Sequence, residues 1–467
     1  MNQRMVYKLA TIASLGGFLF GFDTAVISGT IGFVSDQFDL DALLLGWYVS
    51  CALVGTIIGT LMAGVLSDRY GRKEMLIVSA ILFGLSAIGC MLADSFNFLV
   101  IYRFIGGIGV GIASILSPMY ISEIAPAQIR GRLVSLYQFA LTLGILVAYF
   151  ANAWFLELST SNVFQDSGST VQKIMVDEVW RIMLGSEILP AVLFFILLFS
   201  IPKSPRWYLS KSQEAKAEKI LTKMVGKHEA ERELALHRSN LNVEAAGFRT
   251  IFKGGFKTAL IVGIVLAIST QLCGINAVIY YGPRLLEEAG FQLGDALGGQ
   301  VIIGIVNVLF TLIAIWKIDL FGRKKLLLLG IAGIFLSLIT IGVLFYLEID
   351  NPYILITFIL LFVACFAFSY GPVVWVLLSE IYPTNIRGFA MSIATFALWV
   401  GATSVGQMVP WLLENLMPYG TFWLFAFFTL PSVYIVLKIL PETKGKTLEE
   451  IESYWLENEK QPTRNAL

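Results

Sequence analysis

Twelve stretches of this chain are apolar for about twenty residues or more, and that repetition decides the fold class before any motif is read. They lie near 9–31, 43–66, 75–93, 98–121, 131–153, 182–201, 258–283, 297–316, 325–347, 352–378, 389–412 and 420–440. A bilayer core about 30 Å thick takes about twenty helical residues, and only helices or closed barrels can satisfy their backbone groups inside it. The expectation is an all-α membrane protein of about twelve transmembrane helices. Composition agrees, since 57% of the 467 residues are hydrophobic and only 14% are charged.

The charges exclude several functions. Lys+Arg and Asp+Glu number 33 each, so no positive excess points to nucleic acid. Two histidines and four scattered cysteines, Cys51, Cys90, Cys273 and Cys365, form no metal-ligand spacing, and no cofactor motif is present. Position matters more than number. Arg69, Arg72, Lys73, Arg130, Arg132, Lys324, Lys325 and Arg387 fall in alternate short loops, whereas the opposite loops hold Lys173, Arg181 and Arg284. By the positive-inside rule both termini are cytoplasmic. The first run is too long for a signal peptide and reads as a retained span. The absence of an Asn-x-Ser/Thr acceptor favours a bacterial cytoplasmic membrane.

Residues 202–257 break the apolar rhythm. SQEAKAEKILTKMV and HEAERELALHRSNL have helical spacing with charges on one side, so short amphipathic helices on the cytoplasmic face are expected there. The chain thus divides into 1–201, a linker 202–257, 258–440 and a tail 441–467. The two large parts repeat. SEIAPAQIRG at 122–131 returns as SEIYPTNIRG at 379–388, and DRYGRK at 68–73 returns as DLFGRK at 319–324. Two copies of a six-span unit are parallel repeats, an arrangement that secondary transporters use to hold a ligand near the membrane midplane.

Within GGFLFGFDTAVISG, Asp23 is a carboxylate in an otherwise apolar run. Counted from an inner entry near Lys8, it lies about 22 Å from the inner face, and Arg103, counted from an outer entry near Phe98, lies at about the same depth. The two can meet at one level. Ionisable groups so deep are expensive and mark proton relays or substrate paths, although a purely structural ion pair fits the same spacing.

Polar and aromatic side chains inside other runs suggest a ligand path: Gln138, Gln271 and Asn276, Asn307 and Trp375. Amides offer donors and acceptors together and an indole face packs on C–H groups, so the fitting ligand is neutral and rich in hydroxyls. Gly274, Gly282, Pro283, Gly371 and Pro372 interrupt the seventh and tenth runs, as in helices that bend during transport. At the cytoplasmic turns Gly71 and Gly322 permit a tight bend. The adjoining Asp68, Arg72, Glu123, Arg130, Arg206, Arg323, Glu380 and Arg387 can form an ionic latch.

These segments, with PKSPRW, QLCGINAVIYYGP, GPVVWVLLSE and PETKGKTLEE, resemble the sugar porter family of the major facilitator superfamily over nearly the whole chain. The pattern is most similar to bacterial D-xylose:proton symporters. That resemblance implies two six-helix bundles and a monosaccharide substrate, pentose or hexose, moved with a proton. It implies proton coupling at Asp23 and Arg103 and sugar contacts at Gln138, Gln271, Asn276, Asn307 and Trp375. Thr270 stands beside them where xylose carriers have a second Gln. Phe20 and Trp399 would line the cavity, and Tyr280 and Tyr281 would stand near the outer gate with Gly371 and Pro372. Three further departures stand out: Ile145 and Leu398 occupy positions where the family is polar, and Lys203 stands where it has Glu. A facilitative uniporter, or a sugar sensor, is the alternative. A functional monomer in the lipid bilayer, without catalytic activity, completes the expectation.

Overall fold

A computed structural model of the chain describes residues 3–126, 129–161, 163–164, 168–240, 254–349, 351–382, 386–446 and 448–459. Positions 127–128 and 383–385 of the repeated motif, and linker positions 241–253, lie outside them. Among the described residues twelve helices are long and apolar enough to cross a membrane. They run 3–29, 42–70, 72–92, 96–124, 130–160, 180–198, 255–288, 293–318, 323–346, 352–380, 387–415 and 417–438, and are called spans 1 to 12 below. Each expected run finds its helix, and the described residues form an all-helical fold. Two compact units result: one holds residues 1–243 with 293–304, the other 244–292 with 305–467.

Small residues bring the spans of the first unit to backbone contact. Span 2 carries Gly55 and Gly59, and span 4 carries Gly107 and Gly111, each pair four residues apart on one helix face. A Cβ on Gly107 would fall 1.9 Å from the Ala52 carbonyl oxygen, and one on Gly59 would fall 2.2 Å from that of Ile108. Spans 1 and 5 approach in the same way, since a Cβ on Gly21 would lie 1.9 Å from the Leu141 carbonyl oxygen. Without a hydrophobic drive between helices in lipid, such close van der Waals packing is what holds the bundle. It also fixes Asp23, two residues after Gly21, in the interior.

Four spans are broken; span 6 parts at Ser186–Glu187, between Trp180–Gly185 and Ile188–Leu198. Span 1 is α-helical over Gln3–Val26, tightens to a 3₁₀ turn over Ile27–Gly29 and continues as Ile31–Phe38. Span 7 splits into Gly254–Leu272 and Ile275–Glu288 at Gly274, whose φ of 84° only glycine adopts without strain. Span 10 splits into Pro352–Phe368 and Tyr370–Glu380 at Ser369. Two sequence expectations are corrected here. Gly282 and Pro283 do not interrupt span 7, because the helix runs through them; a proline removes one hydrogen bond, which a packed membrane helix tolerates. Gly371 and Pro372 are not the break in span 10, which lies at Ser369; Pro372 sits in the first turn of the new helix, where its missing N–H has no intrahelical partner to lose.

The linker forms the expected short helices, Pro205–Ser210, Glu214–Val225 and Lys227–Asn240, held by Leu221, Ala230 and Leu234. A tail helix, Leu448–Glu459, was not foreseen; its Trp455 indole N–H donates to the Ile381 carbonyl at 3.0 Å.

Candidate functional site

In the first unit an Arg103 Nη1–H donates to Asp23 Oδ1 at 2.7 Å, and both residues are 3% exposed. The depth count therefore identified true partners. Spans 2 and 3 wall the pair with Tyr48, Cys51 and Cys90, all within electrostatic reach of the guanidinium. A third ionisable group completes the cluster. Glu187 of span 6 is 2% exposed, lies within electrostatic reach of both Asp23 and Arg103, and its Oε1 has no hydrogen-bond partner among the described residues. Two buried acids thus lie within electrostatic reach of one buried cation, which is hydrogen-bonded to Asp23. Sequence reasoning passed over Glu187, although it is a lone acid in an apolar run, the signal that singled out Asp23.

In the second unit the break in span 7 gathers the amides. Asn276 Nδ2–H donates to Gln271 Oε1 at 2.7 Å, Gln271 Nε2–H donates to Thr270 Oγ1 at 3.2 Å, and Thr270 O–H donates to the Ala267 carbonyl at 2.7 Å. This relay crosses the break, so the side chains on its two sides hold one another in register. The hydroxyl of Thr270 fills a place in the relay rather than leaving a hole. Span 11 passes close by at Gly401, where a Cβ would lie 3.3 Å from the Gln271 Cβ. Of the remaining candidates, Trp399 is 5% exposed, Trp375 is 38% exposed, and Phe20, Gln138 and Asn307 are half-buried. Tyr280 and Tyr281 are buried, and the Tyr281 hydroxyl donates to the Gly406 carbonyl at 2.8 Å. That carbonyl is the one whose α-helical donor would be residue 410, a proline.

At the charged turns the ion pairs close within each unit. Arg72 pairs with Asp68 at 2.8 Å and with Glu123 at 3.0 Å, and Glu123 also accepts from the Ser204 hydroxyl. In the second unit Arg323 pairs with Glu380 at 2.9 Å, and Glu380 accepts from the Thr443 hydroxyl at 2.6 Å. Gly71 and Gly322 make the expected bends with φ of 110° and 85°. Basic side chains cap carbonyls at or just beyond the helix ends: Arg72 at Ser67, Lys324 at Leu440 and Lys444 at Leu320. Arg387 donates to the Tyr382 carbonyl at 3.4 Å, Arg130 is half-buried at the start of span 5, and Arg206 is exposed. Lys203, the departure from the family pattern, is placed in full. Its ammonium pairs with Glu74 at 2.9 Å, donates to the Tyr70 carbonyl at 3.1 Å and lies 4.1 Å from the centre of the Trp207 ring.

The family described as "Sugar (and other) transporter" matches residues 9–455. Among curated proteins the chain is 40% identical to the arabinose-proton symporter of Bacillus subtilis, over 97% of this chain and 96% of that protein. It is 37% identical to the D-xylose-proton symporter of Escherichia coli, over 100% and 99%. Among solved structures it resembles the inward-open xylose transporter XylE from E. coli, with a TM-score of 0.82 and 36% identity over 96% of this chain and 100% of that one. With a family match across nearly its whole length and full-length relatives well above 30% identity, the chain belongs to the sugar transporter family.

Proposed function

We propose that this protein imports a monosaccharide, pentose or hexose, together with a proton across the cytoplasmic membrane by alternating access. The observation that carries the reading is the Asp23–Arg103 pair at 2.7 Å with Glu187 beside it. A membrane-buried carboxylate with a second one in reach is a place to load and unload a proton, and the cost of burying it is not expected without such a role. Full-length relatives named as arabinose-, xylose- and galactose-proton symporters support the same chemistry. In this reading the protein is a carrier rather than an enzyme, acts as a monomer, and has both termini in the cytoplasm. Arg181 supports that orientation: of the three cations on the opposite side it is 3% exposed and committed to the Met91 and Ala93 carbonyls, which deepens the positive-inside asymmetry. Functional divisions fall at 1–201, 202–257, 258–440 and 441–467, with the charged turns as the cytoplasmic latch.

The direct test is addition of sugar to de-energised cells expressing the protein. Sugar-induced alkalinisation of the medium is the expected result, and sugar entry without it would make the carrier a uniporter. Competition by a panel of pentoses, hexoses and inositols then names the sugar.

Gln271, Asn276, Gln138, Asn307 and Trp375 are assigned to sugar binding, with Thr270 orienting the first of them and Phe20 and Trp399 lining the path. Gln271→Ala and Asn276→Ala each weaken binding by about 1–2 kcal/mol, the effect of leaving a polar group of the ligand unpaired. Because the two amides are hydrogen-bonded to each other, the double variant loses less than the sum of the singles. Calorimetry giving native affinity in both single variants would remove the site from span 7. Ile145 and Leu398 are buried apolar residues at positions expected to be polar. Ile145→Gln with Leu398→Gln raises xylose affinity relative to the native sugar, and an unchanged ratio would mean these positions do not set the preference.

A further inference from the structure

The 3₁₀ turn in span 1 begins four residues beyond Asp23 and is fastened on two sides. In a continuous α-helix the Thr30 N–H would bond the Val26 carbonyl, but here it bonds Ile27 O at 2.9 Å. Asn152 of span 5 takes up the Val26 carbonyl, donating from Nδ2 at 3.0 Å. Asn152 is 0% exposed and seats against Gly29, where a Cβ would fall 2.5 Å from its Cγ, so only glycine leaves room for the amide. On the other side the Thr30 and Tyr48 hydroxyls are hydrogen-bonded at 2.8 Å, and Tyr48 lies within electrostatic reach of Arg103. A 3₁₀ segment inside a helix is a recurrent mark of a hinge.

We propose that Asn152 is a positioning residue for proton coupling: it holds span 1 bent just beyond Asp23, in the conformation that forms the Asp23–Arg103 pair. The contact and the pair are present together in one state. Breaking the contact therefore destabilises the charged, paired form of Asp23 relative to the protonated, released form. The groups facing Asp23 from the surrounding spans are Arg103, Glu187, Tyr48, Cys51 and Cys90, and none of them is altered by a change at position 152. The proposal rests on Asp23 being the proton site.

The test is the pH profile of sugar-driven proton uptake in liposomes, normalised to folded carrier. Asn152→Leu removes the donor at similar volume, and Gly29→Ala pushes the amide away from the other side. Each variant moves the alkaline limb of the profile upward by about one unit, the tenfold change that loss of one buried hydrogen bond brings. The double variant moves it no further, because both substitutions break the same contact. An unmoved profile with merely less folded carrier, or shifts that add in the double variant, would overturn the assignment. If Asp23→Asn leaves the profile native, the proton-site reading has failed; if Asp23→Asn abolishes it while Asn152→Leu leaves it unmoved, the hinge alone has failed.

Discussion

Asp23→Asn loses concentrative sugar uptake and keeps sugar binding and exchange. The size of the loss follows from the driving force: one proton carried across 100 mV contributes about 2.3 kcal/mol, about a 50-fold gradient of sugar, and the uncoupled carrier equilibrates at a ratio of about one. An amide has nearly the shape of a protonated carboxyl but cannot release a proton, so the variant is locked in the loaded form. Arg103 is not left bare in it, because the Glu187 carboxylate is within electrostatic reach and can become its counterion. Asp23→Asn therefore folds, whereas Asp23→Asn with Glu187→Gln leaves a buried guanidinium with neither acid and is destabilised by about 3–5 kcal/mol. Accumulation in energised cells, with and without a protonophore, is the measurement. Protonophore-sensitive accumulation by Asp23→Asn would reduce the pair to a structural ion pair.

The Asp23–Arg103 contact was legible because a membrane helix is a rod of fixed rise, so counting residues from each face yields depth without a structure. Azimuth is not legible by counting. Glu187 is a lone acid in the sixth run, but only packing shows that it faces the pair rather than another neighbour. Asn152 is the same case in the fifth run: Gln138 drew notice there as an amide in an apolar run, while Asn152 binds backbone rather than ligand and has a role visible only once the 3₁₀ turn is seen. Breaks were legible where backbone conformation demands glycine, at Gly274, Gly71 and Gly322, and misread at Gly282-Pro283 and Gly371-Pro372, where tertiary packing decides whether the helix continues. The relay from Asn276 through Gln271 to Thr270 turned an apparent loss at Thr270 into a filled position.

Lys203 is the residue whose meaning changes most between sequence and structure, and the repeat explains it. PKS at 202–204 corresponds to PET at 441–443, and the GRKE turn at 71–74 corresponds to GRKK at 322–325. The second unit therefore has an acid after the last span and a lysine in the turn, and the first unit has them exchanged. In the second unit Glu442 caps the start of span 9, accepting from the Arg323 and Lys324 N–H groups at 3.0 and 3.1 Å. In the first unit Glu74 stands at the start of span 3, where its Oε2 would be 2.6 Å from a Cβ on Gly71. Each helix start thus keeps one carboxylate near its positive end, supplied from a different position. With the acid in the turn, position 203 is required to be basic. Lys203→Glu places two carboxylates together and loses the Tyr70 and Trp207 contacts, costing about 3 kcal/mol from a part-exposed pair, a like-charge repulsion and a cation–π contact of about 1 kcal/mol each. Glu74→Lys is impaired for the mirrored reason. Combining Glu74→Lys with Lys203→Glu recreates the arrangement of Lys325 and Glu442 and recovers most of the lost thermal stability and uptake. If the double variant unfolds as readily as the worse single in a melting experiment on purified carrier, the exchange of charges is incidental and Lys203 is held by its backbone and aromatic contacts alone.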